Sequence, residues 1–180
     1  MRHPELFGAI ACHSGDMLFE YCYQPDFPKA CSVLQEAGGV RNFLEAFDAK
    51  PQKGKDEFLA LNILGMAACY SPEPAAELGV GLPFDLATGL SRDDVWRRWL
   101  ELDPLRRMGA HADALRSMRL LWIDCGKRDE FHLHHGARAF ARELTRLGIA
   151  HVHEEFDDGH MNVPYRYDRS LPALARVLSA

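Results

Sequence analysis

Leu120-Leu121-Trp122-Ile123-Asp124-Cys125-Gly126, followed by Lys127-Arg128-Asp129-Glu130, is the stretch on which the fold turns. A short, mostly apolar run closed by glycine and then by four charged residues predicts a buried strand ending in a polar turn. Downstream, Leu133, Ala137, Phe140, Leu144 and Leu147 step by four, three, four and three, which places one apolar stripe along a helix. Gly148 is positioned to end that helix as a left-handed residue. Ile149 to Phe156 predicts a second short strand, and the loop Phe156-Asp157-Asp158-Gly159-His160 follows it. Ser170-Leu171-Pro172 predicts the start of a last helix, with an N-cap serine and an early proline.

Upstream, Gly8-Ala9-Ile10-Ala11-Cys12-His13 is a compact apolar run bounded by glycine and by Ser14-Gly15-Asp16, and it predicts another buried parallel strand. From about residue 17 to 113 the pattern predicts a long insertion of helix and loop. Within it, Lys55 to Cys69 carries Phe58, Leu61, Leu64 and Ala68 at helical spacing. Ser91-Arg92-Asp93-Asp94 resembles a capping box opening a helix with Trp96, Trp99 and Leu100 on one face. Ser71 to Leu90 holds three prolines and three glycines and predicts a loop or lid edge. Strand, insertion, strand, helix, strand, helix predicts an α/β fold with a parallel sheet, in one domain spanning 1–180.

Composition excludes several classes. With 180 residues, 47% apolar and 26% charged, the chain is long enough for one core. A net charge of −5 offers no basic field for nucleic acid or anionic membrane. No apolar run approaches the roughly 20 residues of a bilayer span, and the first residues lack the apolar segment of a secretion signal. Five cysteines without Cys-x-x-Cys spacing predict a reduced, cytoplasmic chain with neither disulfides nor a zinc ribbon.

The chemistry lies at the ends of the two C-terminal strands. In an open parallel sheet, ligands bind in the crevice at the carboxyl ends of the strands. Asp129 and His160 each follow a predicted strand, with one helix and one strand between them, so both should reach that edge. An aspartate that holds an imidazole tautomer and a histidine that moves a proton are two thirds of an acyl-transfer triad. An acid in a turn and a histidine in a loop are common, so spacing alone leaves a plain surface role open.

Three segments add to this. His3-Pro4-Glu5-Leu6-Phe7-Gly8-Ala9-Ile10-Ala11-Cys12-His13-Ser14-Gly15 resembles the turn and strand that follow the nucleophile elbow in an esterase family of α/β-hydrolases. That family includes S-formylglutathione hydrolases, feruloyl and enterochelin esterases and related acyltransferases. Leu121 to Phe131 resembles its acid strand and turn, and Glu155 to His160 its histidine loop. The resemblance implies the C-terminal portion of an α/β-hydrolase sheet with an inserted lid. It also implies ester hydrolysis through an acyl-serine, a small-molecule ester substrate, no cofactor, and catalytic roles for Asp129 and His160.

The nucleophile is absent. None of the seven serines lies in Gly-x-Ser-x-Gly. Ser14 ends a strand and precedes Gly15, but Cys12-His13 before it lacks the small residues an elbow needs. Cys125 lies in an apolar strand that should raise its pKa rather than activate it. The expectation is therefore a chain whose nucleophile lies upstream of Met1 and which is inactive alone. Its first strand should be left as an open sheet edge that favours self-association. The alternatives are a non-catalytic chain acting through another protein, and a small metal-binding protein using His132, His134, His135, His151 and His153. Trp96 with Trp99, and Tyr21 with Tyr23, are candidates to line an acyl pocket; Tyr165, Arg166 and Tyr167 are candidates to rim the crevice.

Overall fold

A computed structural model describes residues 1–161 and 163–179. It is an α/β structure built on a three-stranded parallel sheet, β1 (Ala9–His13), β2 (Leu120–Gly126) and β3 (Val152–Phe156), in the order β1-β2-β3. The register sets His13 beside Asp124, Asp124 beside Glu154, and Gly126 beside Phe156. All three strands therefore end at one edge of the sheet, where the Asp129 and His160 loops begin. The central β2 is buried from Leu121 onward. β1 was expected to be buried, but every residue in it is only half-buried, because it pairs with β2 on one side and forms an edge of the sheet.

Contacts divide the chain into two compact units, Met1–Cys22 with Asp103–Ala180, and Tyr23–Leu102. The second unit is helical: α1 (Phe27–Glu36), α2 (Val40–Ala49), α3 (Lys55–Tyr70) and α4 (Asp93–Leu100). α1 and α2 were not expected, although Phe27, Ala30, Cys31 and Leu34, then Val40, Phe43 and Phe47, bury at helical spacing. In α3 the buried face is Ala60, Ile63, Leu64 and Ala67 rather than the Phe58 stripe. Phe58 is mostly exposed, its ring packed edge-on against Phe47. The N-cap of α4 is Arg92 and not Ser91, whose hydroxyl bonds the Asp93 carboxylate instead of a backbone N–H. Trp99 is fully buried among Tyr23, Phe27, Tyr70 and Trp96, with its indole N–H donated to Ser71 Oγ at 2.7 Å.

In the first unit, α5 (Leu133–Arg146) buries Leu133, Ala137, Phe140 and Leu144, the expected stripe. Burial of each large apolar side chain here stabilises by about 1.5–3 kcal/mol. Its C-terminus is a Schellman motif: Gly148 takes φ 66°, Gly148 N–H bonds Thr145 O, and Ile149 N–H bonds Leu144 O. The last helix, α6 (Tyr167–Leu178), begins one turn before the expected Ser170 and follows a 3₁₀ turn at Pro164–Arg166. Ser170 is buried and bonded to a side chain rather than capping, and Pro172 lies inside the helix. Successive β3 side chains point to opposite faces. Glu155 pairs with Arg138 of α5, while Glu154 pairs with Arg166 and Arg169, so α5 and α6 cover opposite faces of the sheet. Among the described residues no helix is long and apolar enough to cross a membrane.

Candidate active site

Asp129 and His160 meet. His160 Nδ1 lies 3.0 Å from Asp129 Oδ2, the aspartate side chain fully buried and the imidazole about one third exposed. Asp129 is fixed by the start of α5: its Oδ1 accepts the backbone N–H of Phe131 at 2.9 Å and of Leu133 at 3.4 Å. It does the work of a helix cap, since His132 at the cap position has a left-handed backbone and contributes no side-chain bond. An ionised carboxylate accepts only, so Nδ1 carries the proton and Nε2 the lone pair in the neutral ring. Nε2 makes no hydrogen bond to a described residue.

The two loops are held against each other by backbone. Lys127 N–H donates to Phe156 O at 2.9 Å and Arg128 N–H to Asp158 O at 3.0 Å, and the Arg128 guanidinium pairs with Asp157. Glu130 Oε2 accepts the His160 backbone N–H at 2.7 Å, and the Phe131 ring stands edge-on to the imidazole at 4.9 Å. Gly126 is obligatory at this crossing. A Cβ there would lie 2.3 Å from Asp158 O and 2.4 Å from Gly159 O, both backbone atoms that cannot swing aside.

Ser14 lies at the end of β1 with φ 49°, an uncommon conformation for a non-glycine residue. Its N–H donates to Asp124 O at 2.8 Å, and its hydroxyl is buried beside the Cys125 sulfur without a hydrogen bond of normal geometry among the described residues. No hydrogen bond links Ser14 to His160 among those residues. Burial, reinforced by the Asp129 charge, pushes the Cys125 thiol up to about 12, so it is not a thiolate nucleophile at neutral pH.

The sequence reading missed a second pair. His13 Nδ1 lies 2.6 Å from Asp124 Oδ1, and His13 Nε2 lies 2.9 Å from Ser170 Oγ. This Asp–His–Ser arrangement is enclosed: Asp124 and Ser170 are buried, and the Tyr167 ring stands edge-on to His13. Asp124 Oδ2 also accepts Trp122 Nε1 and Arg166 Nε, each at 3.0 Å. Arg166, expected at the crevice rim, is instead buried between Asp124 and Glu154 and stacks on Phe156. The available signal was a carboxylate inside an apolar strand, which must find partners.

The other candidates separate. Tyr23, Trp96 and Trp99 belong to the aromatic cluster of Tyr23–Leu102, and Tyr21 packs against His135 in the other unit. The His134 and His135 rings lie 4.0 Å apart and tilted by 40°, but among the described residues no group of three or more His, Cys, Asp or Glu could hold a metal ion. Burial holds His134 and His153 below the usual histidine range. A cleft of about 290 Å³ within Tyr23–Leu102, lined by Val40, Leu82, Phe84, Leu86 and Arg92 among others, contains none of the expected site residues. No known family model matches the chain, and no curated protein matches it.

Proposed function

We propose that Asp129 and His160 are the orienter and the base of a serine ester hydrolase, the chain supplying the C-terminal part of an α/β-hydrolase site without its nucleophile. The observation that carries the reading is the 3.0 Å bond from His160 Nδ1 to a buried, doubly capped Asp129, which leaves Nε2 turned to other work at the carboxyl edge of a parallel sheet. In that role Nε2 takes the proton of a serine as its Oγ attacks an ester carbonyl, then returns it to the departing alcohol oxygen. Asp129 stabilises the imidazolium in between. The serine and the oxyanion donors come from another chain or segment, and the open side of β1 is where such a partner, or a second copy, adds to the sheet.

The test uses the purified chain with a short-chain aryl ester and a fluorophosphonate serine probe. The expected result is no labelled serine and no turnover beyond that of His160→Ala, together with a His160 pKa that falls on Asp129→Asn. Turnover requiring both His160 and Ser14, with Ser14 labelled, would overturn the claim that the nucleophile is absent. Turnover requiring His13, with Ser170 labelled, would move the site to the enclosed pair. A His160 pKa indifferent to Asp129→Asn removes the basis of the reading.

A further inference from the structure

The Asp129 carboxylate has four approaches, and all are occupied by this chain. Oδ1 takes the Phe131 and Leu133 N–H groups. Oδ2 takes His160 Nδ1 at 3.0 Å and the Cys125 Sγ at 3.6 Å. Asp129 is 2% exposed and Cys125 fully buried, so solvent does not compete with these donors. Cys125 is held in β2 opposite Glu155 of β3, and its sulfur also faces the buried hydroxyl of Ser14.

We propose that Cys125 is a positioning residue for the Asp129–His160 pair, its S–H donating to the same Oδ2 that accepts His160 Nδ1–H and so setting how strongly that carboxylate holds the imidazole. The inference rests on the reading of Asp129 and His160 given above. The thiol qualifies as a donor because burial keeps it protonated at neutral pH. A carboxylate that already accepts an extra hydrogen bond has less charge to offer an imidazolium. Ser14, on the other side of the sulfur, can donate its hydroxyl to a lone pair and leave the thiol proton aimed at Asp129.

The remaining charged groups of the two loops are accounted for. Arg128 is paired with Asp157, Asp158 accepts the Gly159 N–H at 2.9 Å, and Glu130 accepts the His160 backbone N–H. Lys127 lies in the same turn. None of these is bonded to the Cys125 sulfur, and Asp124 of β2 and Arg138 of α5 act on it only through space, so the hydrogen-bonded path from Cys125 to His160 runs through Oδ2.

The experiment is an NMR titration of the full chain, following the His160 ring Cε1–Hε1 resonance, identified by its loss in His160→Gln. Cys125→Ala removes the donor and should raise the His160 pKa by about half a unit, the scale of one weak sulfur hydrogen bond. Cys125→Ser keeps a donor and should return most of that shift. If Cys125→Ala does not fold, Cys125→Val, which also lacks a donor, carries the same expectation. Asp129→Asn separates the two claims, since it should lower the His160 pKa by about one unit or more. A lowered value in Asp129→Asn with no change in the Cys125 variants overturns the role of the thiol and leaves the pair standing. No change in Asp129→Asn overturns the pair itself. A shift as large in Cys125→Ser as in Cys125→Ala shows that packing, not the donated proton, is responsible, and also overturns the proposal.

Discussion

The sheet carries two aspartate–histidine pairs built from the same atoms in opposite surroundings. In both, Nδ1 meets a buried carboxylate, at 3.0 Å for His160 with Asp129 and 2.6 Å for His13 with Asp124. The His13 side chain is one tenth exposed and its Nε2 is bonded to Ser170; the His160 side chain is about one third exposed and its Nε2 has no described partner. The acids differ as well. Asp124 also holds Arg166 and the Trp122 indole, ties between side chains, whereas Asp129 holds backbone N–H groups that open α5. An Asp–His–Ser arrangement is therefore not by itself a site. What distinguishes a candidate base is an imidazole nitrogen that has an oriented proton on one side and solvent on the other.

If that distinction is real, the two acids should fail differently. Asp124→Ala leaves Arg166 and His13 without their buried acceptor, and removing one partner of a buried ion pair costs about 3–5 kcal/mol. Asp129→Ala takes the acceptor from two backbone N–H groups at the start of α5 and from the part-exposed His160, groups that can turn to water at the loop, with a smaller expected loss of about 1–2 kcal/mol. Native-state hydrogen exchange of the β2 amides reads both. Equal losses would mean that both pairs are structural ties.

Gly126→Ala attacks only the exposed pair. The added Cβ meets the backbone of Asp158 and Gly159 and must push the histidine loop away from β2. Overpacking of this kind costs about 1–3 kcal/mol, and the His160 ring resonance should move as its bond to Asp129 is lost. His13 should keep its chemical shift. A His13 signal that moves with His160 would show that the two pairs are one coupled network.

The histidine substitutions give the next contrast. His13→Ala leaves Ser170 and Asp124 each short of a buried partner, about 1–3 kcal/mol, while His160→Ala takes one donor from an Asp129 that keeps three others and should cost less, about 0.5–1 kcal/mol. A melting curve for each is sufficient. A large loss in His160→Ala would make it a structural residue and weaken its candidacy as a base.

The parts of this picture legible in the sequence are those set by local pattern. The α5 stripe, the Gly148 stop and the polar turns after β2 and β3 depend on neighbouring residues, and the expected Asp129 and His160 meet because two adjacent parallel strands deliver them to one edge. The missed parts depend on residues far apart in the chain. His13, Asp124 and Ser170 come from three elements, and only the register of β1 on β2 joins the first two. Ser170 was misread for the same reason: a serine before Leu-Pro looks like a cap unless the histidine that binds it is known. In α3 the pattern placed a helix correctly but chose the wrong face, because small residues at Ala60 and Ala67 allow closer packing than the Phe58 side.

The smallest expected effect concerns two histidines, His134 of α5 and His153 of β3, that are not hydrogen-bonded to a carboxylate among the described residues. His134 Nδ1 and His153 Nε2 are buried without a hydrogen bond to a described residue, and burial holds both rings below their ordinary 6.5. A histidine depressed in the folded state binds its proton more readily when unfolded, so its contribution is complete above pH 6.5 and lost as pH falls. The carboxylates Glu154 and Glu155 are held below 4.5: burial raises Glu154 but Arg166 and Arg169 together pull it lower, and Arg138 lowers Glu155. Their share of stability is lost only in more acid solution. Between pH 7.5 and pH 5 the urea midpoint should therefore decline, and His153→Gln should flatten the decline. If it declines equally in His153→Gln, in His134→Gln and in the unsubstituted chain, the two buried rings are not its source.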